Sequence, residues 1–117
     1  MRTLRQRSDF QDISRKGRQV RPCSWLVLAY RSNSEGQFRF GWTIPRYVGV
    51  AVVRNRFRRW CREYFRNTEH GLEATYDINV VFRRKDKEFY KNVRHEEVFE
   101  ILDRAVSQMG KRCAHSG

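Results

Sequence analysis

The chain has 117 residues, enough for one domain with a buried core and too few for two. Hydrophobic residues make up 39% and charged residues 32%, which fits a folded, soluble protein and excludes a disordered chain. A formal charge of +12 exceeds what solubility asks of a small domain and calls for an anionic partner, nucleic acid ahead of a membrane surface. No apolar run is long enough to cross a bilayer, and Met1-Arg-Thr-Leu-Arg-Gln-Arg lacks the apolar stretch of a secretory signal. Cys23, Cys61 and Cys113 are far apart and odd in number, and His70, His95 and His115 show no ligand spacing. Neither a disulfide framework nor a zinc site is expected, and a reducing, cytoplasmic location fits best.

A short first helix is predicted from Ser8, which has capping-box spacing to Gln11, with Gly17 closing it at C′. Phe10, Ile13 and Ser14 share its inner face. Residues 18–31 and 37–44 read as strands, carrying Trp25 to Tyr30 in the first and Phe38, Phe40 and Trp42 alternating in the second. The turn chemistry of Ser32-Asn33-Ser34-Glu35-Gly36 predicts that they pair as a hairpin, with room for an extra short strand near Val20. Pro45 and Gly49 precede a long helix over about 50–67, in which Val53, Phe57, Trp60, Cys61 and Tyr64 form one apolar stripe that must pack on the sheet. Residues 76–83 form another strand, apolar enough for a covered central position. A last helix over 95–109 ends at Gly110, with Glu96 and Glu97 at its start and Lys111 and Arg112 after its end complementing the dipole. The fold class is α+β, in the order α-β-β-(β)-α-β-α, as a single domain over residues 1–117 with 111–117 as a flexible tail.

Charge is divided unevenly. Residues 1–66 hold 16 of the 25 Lys and Arg and only four acids, Asp9, Asp12, Glu35 and Glu63, so this half carries the whole +12. Its densest part is Arg54-Asn-Arg-Phe-Arg-Arg-Trp-Cys-Arg-Glu-Tyr-Phe-Arg66, six arginines in thirteen residues. On a helix Arg54, Arg58 and Arg62 form one row, and Asn55, Arg59, Arg62 and Arg66 an adjoining one. Like charges so placed repel, and only Glu63 lies within the segment to compensate them, so a stability role explains the pattern poorly. All seven positive charges from Arg46 through Arg66 are arginine, whose planar fork donates two parallel hydrogen bonds to phosphate. A solvated charged face would mix signs.

Gly49-Val-Ala-Val-Val-Arg-Asn-Arg-Phe-Arg-Arg-Trp-Cys-Arg-Glu-Tyr-Phe-Arg66 resembles the signature of the bacterial ribonuclease P protein subunit. The resemblance extends to Ser8-Asp9-Phe10, Gly17 and Gly41-Trp-Thr-Ile44, covering roughly residues 8–84, while the last helix matches in position and character. It implies a two-layer, ribosomal-protein-like αβ sandwich with a left-handed β-α-β crossover and a cleft beside the first helix. It implies that Arg46, Arg54, Asn55, Arg56, Arg58, Arg59, Arg62 and Arg66 meet the catalytic RNA, and that the cleft holds the single-stranded 5′ leader of precursor tRNA. Phe10 matches a cleft position where a ring stacks on a leader base, with core packing as its alternative, and Leu28 or Tyr30 is the expected strand contribution. The chain departs from the family pattern at Ser14, where an aromatic is common, and at Pro45 and Val50 before the basic helix. The resemblance further implies that the RNA performs the hydrolysis with magnesium bound mainly by the RNA subunit and substrate, and that the protein supplies neither catalytic residues nor a metal site.

Other readings differ in what they require. A ribosomal protein or general RNA chaperone would share the charge and aromatics without the fixed order of the motif. A nuclease acting alone needs clustered carboxylates or His/Asp ligands, and the four acids of the basic half are scattered. A helix-turn-helix DNA reader needs a pair of helices that the strand-rich first half does not supply.

Overall fold

The computed structural model describes residues 2–67, 75–86 and 88–115, excepting the side chains of residues 67 and 112–115. In chain order it contains β1 (Arg2–Thr3), α1 (Arg7–Lys16), β2 (Arg18–Val20), β3 (Leu26–Ser32), β4 (Arg39–Thr43), α2 (Ala51–Asn67), β5 (Tyr76–Phe82) and α3 (His95–His115). Two 3-10 turns lie at Arg46–Val48 and Tyr90–Asn92. The strands form one mixed sheet in the order β1-β4-β5-β3-β2, so the fold is α+β as expected.

Pleating sorts the strand residues onto two faces. Leu26, Leu28 and Tyr30 of β3 and Ile78, Val80 and Phe82 of β5 join Val53, Phe57, Cys61, Tyr64 and Phe65 of α2 in the main core. Val98, Leu102, Ala105 and Met109 of α3 complete it. The predicted stripe of α2 is thus the buried one, with Phe65 added and Trp60 only half-buried. Across the sheet, Ala29 packs with Leu4, Ile13 and half-buried Phe10 in a second, smaller cluster that seats α1 against β3 and β5.

Several expectations are corrected. The two early strands do not pair as a hairpin: β5 lies between them, antiparallel to β3 and parallel to β4. The turn segment spans that gap and is tied to the start of β5, where the Asn33 N–H donates to the Thr75 carbonyl (3.0 Å) and Asn33 Nδ2 to Asp77 Oδ1 (2.7 Å). The strand expected over 18–31 is two strands, β2 and β3, in antiparallel register, which accounts for the extra strand anticipated near Val20. β1, parallel to β4, was not expected, since two residues carry no alternation.

At α1 the capping box is absent, because the helix begins at Arg7 with Gln6 as N-cap and Ser8 already inside its first turn. Gly17 does end this helix, but with extended backbone (φ −86°). A Cβ there would collide with the carbonyl oxygens of Ile13 and Tyr30, so the position needs glycine for space. Nor does Gly110 end α3, which runs on to His115. A helical glycine costs only about 1 kcal/mol relative to alanine, and the buried turn through Ala105, Val106 and Met109 outweighs it. Residues 111–115 of the expected tail are therefore helical, and residues 116–117 lie outside the described residues.

Candidate nucleic-acid interface

Two polar surfaces among the described residues lie on opposite faces of the sheet. The first is the outer side of α2. Its inner stripe faces the core, so the 100° step per residue turns Asn55, Arg59, Arg62 and Arg66 outward, and all four are exposed. Arg54 and Arg58 flank them, half-buried. Arg54 Nε donates to the Gly49 carbonyl at 3.1 Å, and Arg58 Nη1 to Asn55 Oδ1 at 2.5 Å, so two of the guanidinium groups are oriented by their own helix and its approach. Arg62 lies over the Trp42 ring at 5.7 Å, leaving its edge to donate elsewhere. Arg46, on the turn before α2, is exposed as well.

Arg56 differs from its neighbours. Its guanidinium sits over the Trp60 and Phe57 rings at 5.4 and 5.9 Å and reaches the carbonyls of Tyr90 and Lys91, each at 3.5 Å. Arg56 is thus turned away from the outer row and fastens α2 to the turn before α3. Another basic group was missed in the sequence: Arg84, just past β5, lies over the Tyr47 ring at 4.8 Å, beside the turn that leads into α2.

The second surface is a hollow of about 440 Å³ on the α1 face. α1 contributes Arg7, Phe10, Gln11 and Ser14 to its wall, and the floor is Ala29, Thr43, Asn79 and Val81, with Gln19 at one side. Phe10 both lines the hollow and packs against the small cluster of Leu4, Ile13 and Ala29. Gly41 makes that placement feasible, because a Cβ there would stand 2.7 Å from the Phe10 ring. Leu28 and Tyr30 are corrected: both are almost wholly buried in the main core on the other face, and Ala29 between them is the strand residue that meets the hollow. A one-residue error in register inverts every side chain of a strand.

The polar floor was also missed. In β5, Asp77 and Asn79 alternate with Ile78, Val80 and Phe82, a period-two signal of one polar face obscured by the overall apolarity of the segment. Asp77 accepts from Arg39 Nε at 2.7 Å and Nη2 at 2.6 Å, a bidentate pair that holds the guanidinium above its ordinary pKa range. Asp9 of α1 stands 3.6 Å from the same Nη2, tying the helix to the sheet beside the hollow.

Among the described residues no group of three or more His, Cys, Asp or Glu is placed to hold a metal ion, and no helix is long and apolar enough to cross a membrane. Cys23 and Cys61 are free thiols.

Comparison with known proteins matches residues 1–109 to the family model described as Ribonuclease P. The Ribonuclease P protein component of Thermotoga petrophila is 31% identical over 105 residues, covering 86% of this chain and 89% of that one. Among solved structures, the RNase P protein of Thermotoga maritima superposes with a TM-score of 0.76 at 31% identity, covering 96% and 97% of the two chains. That of Staphylococcus aureus gives 0.79 at 25% identity, covering 93% and 95%.

Proposed function

The chain belongs to the ribonuclease P protein family, the protein subunits of a tRNA-processing ribonucleoprotein, and from that premise we propose a division of labour between its two surfaces. The outer row of α2, with Arg46, binds the phosphates of the catalytic RNA. The hollow under α1 takes the single-stranded 5′ leader of precursor tRNA, with Phe10 stacking on a base. Hydrolysis of the leader junction belongs to the RNA, with magnesium held by that RNA and the substrate. The protein neutralises phosphate charge and orients the leader, acting in the cytoplasm where precursor tRNA is made.

The observation that carries this reading is the separation of the surfaces. Arg46 and the five arginines of α2 other than Arg56 would be self-repulsive without an anionic partner, and α2 packs on the face of the sheet opposite a hollow that holds a half-exposed ring on a polar floor. Guanidinium forks match phosphate, whereas an aromatic ring serves any base because every base has a π-face.

The test follows from that separation. Arg58→Ala combined with Arg62→Ala should weaken assembly with the catalytic RNA while leaving the fold intact. Phe10→Ala should leave assembly nearly unchanged and weaken binding of leader-bearing precursor by about 1–3 kcal/mol, with no effect on mature tRNA. Thermal melts distinguish a binding defect from unfolding. Equal loss of precursor and mature tRNA on Phe10→Ala would remove the leader from the hollow.

A further inference from the structure

A pocket of about 290 Å³ lies where the end of α1 meets the sheet, sharing no lining residue with α2 or with the hollow that holds Phe10. Lys16 and Gly17 line it from the end of α1, Arg18 from β2, and Tyr30, Arg31 and Ser32 from β3. Gly17 makes this meeting possible, because a Cβ there would collide with the Tyr30 carbonyl and hold the end of α1 off β3. Arg18 stands opposite Tyr30 in the β2–β3 ladder, so their side chains leave the sheet on the same face. Three cations thus converge. Arg31 Nη1 is answered by Asp12 at 3.5 Å, but neither Lys16 nor Arg18 has a carboxylate within ion-pairing distance among the described residues. Lys16 complements the dipole of α1, an effect that fades beyond the last helical turn and does not account for Arg18 and Arg31 on the strands. The wall carries one more unused group. Tyr30 is 3% exposed, and its hydroxyl is buried with no hydrogen-bond partner among the described residues. A buried phenol ordinarily has such a partner, since burying an unpaired hydroxyl is unfavourable.

We propose that this pocket is a phosphate-binding site that takes the terminal phosphate of an RNA 5′ end or of a free polyphosphate. With Arg31 balanced by Asp12, two uncompensated cations remain, Lys16 and Arg18. They match a terminal phosphate, which carries about −1.5 to −2 at neutral pH, better than the single charge of a phosphodiester. The free oxygens of that phosphate can accept from the Arg18 and Arg31 forks and from the Lys16 ammonium, with the Tyr30 hydroxyl as a neutral donor. The site depends on neither the leader nor the catalytic-RNA assignment, since it is built from different residues.

The experiment follows the backbone amide signals of Gly17, Arg18 and Ser32 in the full chain by NMR. Inorganic pyrophosphate is titrated first, then two oligonucleotides of one sequence, one 5′-phosphorylated and one ending in a 5′-hydroxyl. Pyrophosphate should move all three signals. Arg18→Gln should weaken that binding by about tenfold or more, the range of a charged hydrogen bond. Tyr30→Phe keeps the ring contact with Tyr76 and should weaken it by about 3-fold to 10-fold. Asp12→Asn should act in the opposite direction and tighten binding, because it releases Arg31 to the ligand, an outcome that a merely structural role for these residues would not produce. Thermal melts confirm that each variant is folded. If the phosphorylated oligonucleotide moves the three signals and the hydroxyl one does not, the occupant is an RNA end; if pyrophosphate alone moves them, it is a free polyphosphate. Pyrophosphate that shifts signals of α2 while Gly17, Arg18 and Ser32 stay unmoved, or binding at the pocket that is indifferent to Arg18→Gln and Tyr30→Phe, overturns the proposal.

Discussion

At Gly41 and Phe10, one residue's lack of a side chain makes room for another's ring, because a Cβ at position 41 would stand 2.7 Å from the Phe10 carbons. The same logic of space governs Cys61, which is fully buried in the main core between α2 and the sheet. Burial pushes its thiol from the ordinary 9.0 up to about 12. Below the ordinary value the thiol is protonated in folded and unfolded chains alike and stability does not depend on it. Above it the unfolded chain releases a proton that the native chain retains, so stability falls with rising pH across this window. The slope approaches about 1.4 kcal/mol per pH unit from this one group. Urea unfolding of reduced protein from pH 9 to pH 10 should show the decline, before Tyr64 and Tyr90, also raised by burial, add theirs above their ordinary 10.0. Cys61→Val should flatten it; an unchanged slope would mean that the thiol is reached by water in the native protein.

The basic helix carries its message at the scale of the element. Five of its arginines, Arg54, Arg58, Arg59, Arg62 and Arg66, line its outer side and flank, while Arg56 is bound to the turn before α3. About five phosphate contacts predict that fourfold more salt lowers affinity for the catalytic RNA on the order of 100-fold to 500-fold. Arg56→Ala should leave that slope unchanged and lower the melting temperature instead, measured by titration at several salt concentrations and by thermal unfolding. A slope reduced by about one contact in Arg56→Ala would return Arg56 to the interface.

α2 was legible in the sequence because its stripe, its charge row and its bounds all rest on one helical period. β5 was legible as a central strand, though its polar face was not. The pairing of β3 with β4 was misread, since turn residues indicate a reversal of direction and not which strand comes to lie between. Leu28 and Tyr30 were misplaced because β3 is apolar on both faces from Leu26 to Tyr30, so alternation could not reveal which side held the hollow. The α3 terminus failed for a simpler reason: glycine weakens a helix by an amount that a packed face readily outweighs.

On the scale of the whole molecule, the sheet separates the two surfaces to which we assign recognition. α2 and α3 close the core on one face, and α2 presents a fixed row of cations outward. On the other face α1 covers only part of the sheet and leaves a hollow with a ring on its wall and a polar floor. A partner RNA bound on one side and a leader on the other would be joined through the protein, so each contact helps hold the substrate on the catalyst. On the proposed function, cations supplied by the protein would replace part of the work of magnesium in bringing two polyanions together, an effect expected to be greatest when magnesium is scarce.

The most direct measurement is precursor-tRNA cleavage by the cognate catalytic RNA at low magnesium, with and without this protein, alongside rigorously RNA-free protein alone. Cleavage that is restored by the protein together with the RNA, is larger for leader-bearing precursor, and is absent with protein alone is the expected result. Cleavage by the RNA that is indifferent to the protein, or cleavage by the protein without RNA, would contradict it.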